Sequence, residues 1–185
     1  MVMVQPSGLR ADARRSEEAV IEAARALFAA EGIDVPNRTI AETAGVGVGT
    51  LYRRFPTRAD LIAAVFRQEI DACAAAADEL AATRVPFEAL AEWLRRFAAF
   101  IATKRGFSAA LHSGDPAYAG LPVHFEKRFY PALDGLLDTA RKAAVIRQGL
   151  TADDLVKTVA RLVSPEDTGL GQRMLEVLID GLRAD

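Results

Sequence analysis

The chain has 185 residues, of which 51% are hydrophobic, and a formal net charge of −2; that is enough apolar material for one or two compact units and too little net charge to announce a nucleic-acid protein. Its one cysteine, Cys73, excludes an intramolecular disulfide, and its alanine-rich surroundings point to a buried thiol rather than a metal ligand or nucleophile. The N-terminus lacks an apolar stretch followed by a small-residue cleavage site, and no later segment is apolar for long enough to cross a bilayer, so the expectation is a soluble cytoplasmic protein with no membrane partner.

Alanine and leucine supply most of the apolar residues, and valine and isoleucine do not alternate in short runs, which predicts an all-α fold of about nine helices. Residues 1–11 mix proline, serine, glycine and polar groups without periodicity and are predicted to be a flexible arm carrying Arg10. From Asp12, Val20, Ile21, Ala24, Leu27 and Phe28 recur at helical spacing until Gly32 stops the first helix. Ile40, Ala41 and Ala44 form one side of a short second helix that Gly45 ends, and "VGVGTLYRRF" follows after a tight turn. Pro56 blocks continuation, and Thr57 with Asp60 three residues on makes a capping signal for a fourth helix reaching Thr83.

Pro86 opens a fifth helix whose stripe is Leu90, Trp93, Leu94, Phe97, Phe100 and Ile101. The segment 106–122 breaks into turn residues after its first half, and 124–146 reads as one helix, bent near Pro131 and closed by Gly149. Thr151 and Asp154 cap a further helix, Pro165 and Gly169 mark a loop, and Met174, Leu175, Leu178, Ile179 and Leu182 give the last one. No internal repeat is present, and the alanine tract is explained by helix propensity.

The informative stretch is 45–58, which carries three arginines and no acid although residues 1–60 hold eight arginines and eight acids. Two short helices joined by a glycine turn can cross steeply where small residues meet, and Ala41, Ala44 and Gly45 supply them, with Val46 filling the angle. On a helical wheel Leu51 and Phe55 face the core with Ile40, while Gly49, Thr50 and Arg53 face outward and Val48 and Tyr52 flank them. A hydroxyl, a phenol and guanidinium groups near a helix start are donors suited to phosphates and base edges in a major groove.

"IAETAGVGVGTLYRRFPTRADL" resembles the DNA-binding domain of TetR-type (TetR/AcrR) transcriptional regulators, whose usual wording is close to I-A-x-x-A-G-V-S-x-G-T-L-Y-x-H-F-x-x-K-x-x-L. The likeness spans residues 12–66, with 67–185 left as an effector-binding and dimerisation domain. It implies that Thr50 and Tyr52 touch the DNA backbone, that Arg58 grips a phosphate, and that Arg38, Val48 and Gly49 face bases; Arg53 and Arg54 add charge beside them. Three departures stand out: Gly47 replaces the usual capping serine, Arg54 replaces a common histidine, and Pro36 occupies the usual threonine cap, leaving Asp34 or Asn37 as candidate caps. Arg14 and Arg15 either flank the minor groove with Arg10 or solvate the surface.

The resemblance further implies a homodimer through the last two helices, with Leu155, Val159, Leu162, Leu178 and Leu182 either at that interface or in the core, and a palindromic double-stranded DNA operator. A small-molecule effector is expected in the body. Trp93, Phe97, Phe100, Leu111, His112, Phe125 and Phe129 are the candidate wall, against the alternative that the aromatic residues are only core. No P-loop, zinc spacing or dinucleotide fingerprint occurs, so no cofactor or metal is expected. His112, Ser113 and Asp115, crowded in one turn, lack the convergence from separate elements that a catalytic triad requires, which argues against an enzyme. The expected function is a one-component regulator, as a repressor released by its effector or, alternatively, as an activator or ligand-independent factor whose body serves only dimerisation.

Overall fold

The computed structural model describes residues 6–105, 107–163 and 168–184. Among them run nine α-helical segments: α1 (Pro6–Glu31), α2 (Asn37–Thr43), α3 (Val48–Arg54), α4 (Arg58–Thr83), α5 (Pro86–Arg105), α6 (Ser108–Leu111), α7 (Leu121–Lys142), α8 (Ala152–Leu162) and α9 (Thr168–Gly181). A 3-10 turn, Pro116–Tyr118, lies between α6 and α7. The all-α expectation holds.

The chain divides into two compact units. The first comprises Met1–Gln68 together with Ala109–Ala119. Its core is Val20, Ala24 and Phe28 from α1, Ile40 and Ala41 from α2, Leu51 of α3 with Phe55 at its end, and Leu61, Ile62 and Val65 from α4. At seven residues each, α2 and α3 are too short to persist alone, so burial of Ile40 and Leu51 holds them in helical form. Gly45, at φ 68°, ends α2. Its N–H bonds the Glu42 carbonyl while the Val46 N–H reaches Ala41, both at about 3 Å, which satisfies carbonyls that a helix end leaves over.

The second unit comprises Glu69–Ser108 and Gly120–Asp185. Its spine is α5, which packs against α7, α8 and α9 and buries Leu90, Trp93, Leu94 and Phe97 completely. The Trp93 indole donates to the Cys73 carbonyl at 3.0 Å, so a ring too large to leave a polar N–H unsatisfied has a partner. At the C-terminus, Arg147 N–H donates to the Leu182 carbonyl and Ala184 N–H to that of Val145, pinning the chain end beside the exit of α7 as one antiparallel bridge. Arg183 then lies over the Phe87 ring, 3.7 Å from its centre.

Several boundaries differ from the sequence expectations. Residues 6–11, expected in a flexible arm, are the first turns of α1, because proline is tolerated at the first helical position, where its missing N–H costs nothing. Residues 1–5 and the Arg10 side chain lie outside the described residues. The helix expected to reach residue 146 stops at Lys142, where Ala144 adopts a left-handed conformation, φ 55°, usually left to glycine. α7 runs through Pro131. Residues 109–119, expected in the body, belong to the first unit, where Tyr118 is buried. Pro165 of the expected loop lies outside the described residues, and Gly169 sits within α9.

Candidate DNA-binding site

α3 starts without a side-chain cap and ends at Phe55, just before the capped start of α4. Pro36 and Gly47 occupy the positions preceding α2 and α3, in extended conformation, and neither supplies a side-chain cap. Neither Asp34 nor Asn37 takes that place. At the far end, Thr57 and Asp60 form the reciprocal box read from the sequence: Asp60 N–H donates to the Thr57 hydroxyl at 3.1 Å, and Thr57 N–H to the Asp60 carboxylate at 3.0 Å. α4 therefore starts where Pro56 releases α3.

With Leu51 and Phe55 buried, the opposite side of α3 faces solvent. Tyr52 is 49% exposed. Gly49 and Arg53 are exposed and Val48 and Thr50 half-buried, and Arg53 donates to the Thr50 hydroxyl at 3.0 Å, so two of the candidate contacts are already tied together. A methyl group added at Gly49 would meet nothing within 4 Å; space does not demand glycine there. Arg38, exposed on α2, donates to Glu42 at 2.9 Å, which pushes its pKa above the usual guanidinium range. Arg54 pairs with Glu17 of α1 at 3.5 Å. Arg14 and Arg15 pair with Glu18 and Asp12 on their own helix.

Arg58, expected to grip a phosphate, is engaged within its own unit in the free protein. Its Nε donates to the Ile33 carbonyl at 3.1 Å, Nη2 reaches the same oxygen, and Nη1 bonds the Asn37 side-chain oxygen. The guanidinium also covers the Phe28 ring at 4.7 Å, and desolvation pushes its pKa down. Arg58 thereby staples the α1–α2 turn to the start of α4. The sequence marks Asn37 as a candidate helix cap; its bond to Arg58, twenty-one residues away, has no local signal in the sequence.

In the second unit, Trp93, Phe97, Phe100, Phe125 and Phe129 meet one another. Ring centres lie 4.4 Å apart for Phe125 and Phe129, 5.2 Å for Phe97 and Phe129, and 5.6 Å for Trp93 and Phe97. Leu111 and His112, expected on the same wall, belong to the first unit. Beside the cluster, Asp71 of α4 accepts from Arg128 at 2.7 Å and lies 3.1 Å from His124 Nε2.

Three of the five dimerisation candidates are core of their own protomer: Leu155, Val159 and Leu182 are at most 2% exposed. Leu162 and Leu178 are half-buried. The apolar side chains that α9 turns outward are Leu170, Met174 and Val177. Their spacing of four and then three residues is a helical stripe that was legible in the sequence but is masked by the stronger Leu175, Leu178, Ile179, Leu182 stripe beside it.

The tempting His112, Ser113, Asp115 group is a turn. The Ser113 hydroxyl accepts the Asp115 N–H at 3.3 Å, and the Asp115 carboxylate accepts the Ala117 N–H at 2.9 Å, starting the 3-10 turn. Burial pushes the Cys73 thiol up to about 12, which disfavours the thiolate a nucleophile needs. Among the described residues no three His, Cys, Asp or Glu side chains gather to hold a metal, and no helix is long and apolar enough to cross a membrane.

A helix-turn-helix whose second helix presents hydroxyl, phenol and guanidinium groups to solvent defines the class: a DNA-binding transcription regulator. Residues 20–65 match the family described as bacterial regulatory proteins, tetR family, and residues 85–184 match the domain described as transcriptional regulator SbtR-like, C-terminal. The TetR regulator SCO0520 from Streptomyces coelicolor is 34% identical, over 90% of this chain and 97% of that one, with a TM-score of 0.74. A TetR regulatory protein from Mycobacterium vanbaalenii is 33% identical, over 95% and 99%, with a TM-score of 0.77. An HTH-type transcriptional regulator of Staphylococcus aureus (strain USA300) is 36% identical over 64 residues, so the match spans about a third of that relative (35%) and 34% of this chain. The chain belongs to the TetR family of transcriptional regulators.

Proposed function

We propose that the protein is a repressor that binds a palindromic operator as a homodimer and leaves it when a small effector binds the second unit. The observation that carries the DNA contact is the solvent-facing side of α3, with Tyr52 and Arg53 exposed above buried Leu51 and Phe55. Thr50, Tyr52 and Arg53 hold the backbone, Arg54 adds charge, and Arg38, Val48 and Gly49 meet base edges. The outward stripe on α9 supports dimerisation, and two-fold symmetry then sets α3 and its partner copy in successive major grooves about 34 Å apart.

A second reading has its own observation. The aromatic side chains expected to line an effector pocket stack on one another at 4.4 to 6.4 Å, as a filled core does, which favours a ligand-independent factor whose second unit serves dimerisation. Activation rather than repression is open to either reading, because it depends on where the operator lies relative to a promoter.

Selection of binding sites from random duplex DNA by the purified protein, followed by titration of the enriched sequence at two salt concentrations, tests the DNA contact. The expected outcome is a palindrome whose affinity falls steeply with salt, since each neutralised phosphate releases counterions. A folded protein that enriches nothing overturns the proposal. A thermal-shift screen with a broad apolar library separates the two readings: a rise in melting temperature supports an effector, and none supports the ligand-independent factor.

A further inference from the structure

The helix α2 carries two charged side chains, Arg38 in its first turn and Glu42 in its last, and each stands at the unfavourable end. The N-terminus of a helix is its positive pole and the C-terminus its negative one, so a cation at the start and an anion at the end both oppose the dipole. The reverse order, with glutamate four residues before its basic partner, is the one that supports a helix. A helix of seven residues whose N-cap, Pro36, supplies no side-chain bond is marginal already. A charge pair set against its own helix is the kind of local conflict that function maintains.

The pair is bonded in a way that leaves one edge of the guanidinium open. Arg38 Nε donates to Glu42 Oε1 at 2.9 Å, and among the described residues Glu42 is the one hydrogen-bond partner of Arg38. The Arg38 side chain is 82% exposed, so packing does little to limit its rotamers and this bond sets its direction. Both terminal nitrogens, Nη1 and Nη2, keep their N–H groups for a second acceptor. Two parallel donors from one guanidinium match the O6 and N7 acceptors of guanine in a major groove. A carboxylate on Nε therefore does not compete for the fork; it aims it.

We propose that Glu42 is a positioning residue for sequence recognition, holding the Arg38 fork toward a guanine of the operator while its charge lowers affinity for DNA of any sequence. This rests on the reading that Arg38 faces base edges. Glu42 then sharpens recognition twice. Ordering the arginine beforehand reduces the rotamer freedom lost on meeting the right base, and a carboxylate near the phosphates subtracts from the attraction that every sequence shares.

The experiment is a double-mutant cycle on the full chain, titrated with the enriched duplex and with versions of it carrying each other base at each position. Arg38→Ala is expected to lower the preference for guanine at one base pair of each half-site by about tenfold or more. Glu42→Ala is expected to lower the preference at that same base pair by about threefold or more and to bind scrambled duplex more tightly. Its melting temperature should be no lower than that of the wild type, because the lost charge opposed the helix dipole. In the Arg38→Ala background, Glu42→Ala is expected to change no base preference further, because its effect passes through the arginine. Glu42→Gln keeps an acceptor oxygen and loses the charge, so it is expected to retain the guanine preference and still bind scrambled duplex more tightly. If no duplex is enriched, or if Arg38→Ala changes no base preference, the base-contact reading fails and this inference with it. If Arg38→Ala acts and Glu42→Ala leaves the preference at that base pair unchanged, the positioning role alone is overturned. A loss that adds to that of Arg38→Ala, or that falls on a neighbouring cytosine, makes Glu42 a base contact in its own right and overturns it too.

Discussion

Arg58 separates two physical roles that one position can play. As a phosphate contact it would be dispensable for folding, and its loss would reduce DNA affinity and the salt slope together. In the structure it bonds the Ile33 carbonyl and Asn37 and covers Phe28, so its removal leaves a half-buried carbonyl without its donor. Arg58→Ala is expected to cost about 1–2 kcal/mol of stability, the lower part of the range for hydrogen bonds to charged groups because the site is half-exposed. Lysine should not rescue it, since a point ammonium cannot reproduce a planar fork across two acceptors and a ring. Chemical denaturation of the three proteins decides this: an unchanged midpoint for Arg58→Ala returns the residue to the phosphate role.

At the scale of the element, α3 reconciles glycine with helix. Its sequence has Gly47 at the cap position and Gly49 in the first turn, where each weakens a helix of only seven residues. A methyl group at Gly49 has room in the free protein, so Gly49→Ala is expected to stabilise the fold by about 0.5–1 kcal/mol. If the backbone at 49 approaches DNA closely, the same methyl group lowers operator affinity. Thermal unfolding and DNA titration should therefore move in opposite directions; tighter DNA binding would remove Gly49 from the interface.

The join of α5 to α9 gives an element-scale dependence on pH. Arg95 donates to both carboxylate oxygens of Glu176, at 2.8 and 2.6 Å, and this bonding holds the Glu176 carboxyl below its usual range. A carboxyl with a depressed folded-state pKa contributes stability above its unfolded-state value, about 4.3, and loses that contribution as pH falls through the folded-state value. Glu176→Gln is expected to flatten the acid limb of a stability–pH curve below about pH 5. An unchanged limb would show that the exposed pair contributes nothing measurable, as many surface pairs do.

For the molecule as a whole, the legible part of the sequence was whatever short-range chemistry determines. Gly45 as a stop, Thr57 with Asp60 and Thr151 with Asp154 as capping boxes, and Leu51 with Phe55 as the buried side of α3 are all set within four residues, and the structure has them. What was not legible is set over longer distances. Arg58 finds Ile33 and Asn37 more than twenty residues away, and residues 109–119 join the first unit although both of their chain neighbours belong to the second. The end of α7 at Ala144 was hidden because alanine is the best helix former and carries no stop signal. For Leu155, Val159 and Leu182 the sequence leaves a dimer interface and the core equally open, because an amphipathic pattern says that a stripe is buried, not in which protein.

That last ambiguity yields a test of assembly. Leu155 and Val159 lie inside one protomer, so Leu155→Ala is expected to cost about 2–5 kcal/mol in the protomer itself. Val177 is 62% exposed and Met174 38%, so charged residues there cost the isolated protomer little, whereas between two copies they place unpaired charge in an apolar contact. The single variant Val177→Asp is expected to keep its helical circular dichroism and to sediment as a monomer at concentrations where the wild type sediments as a dimer. Operator affinity should fall with it, because one head then binds one half-site without its partner. A Val177→Asp protein that remains dimeric would move the interface off this face of α9, and with it the geometric basis for a palindromic operator.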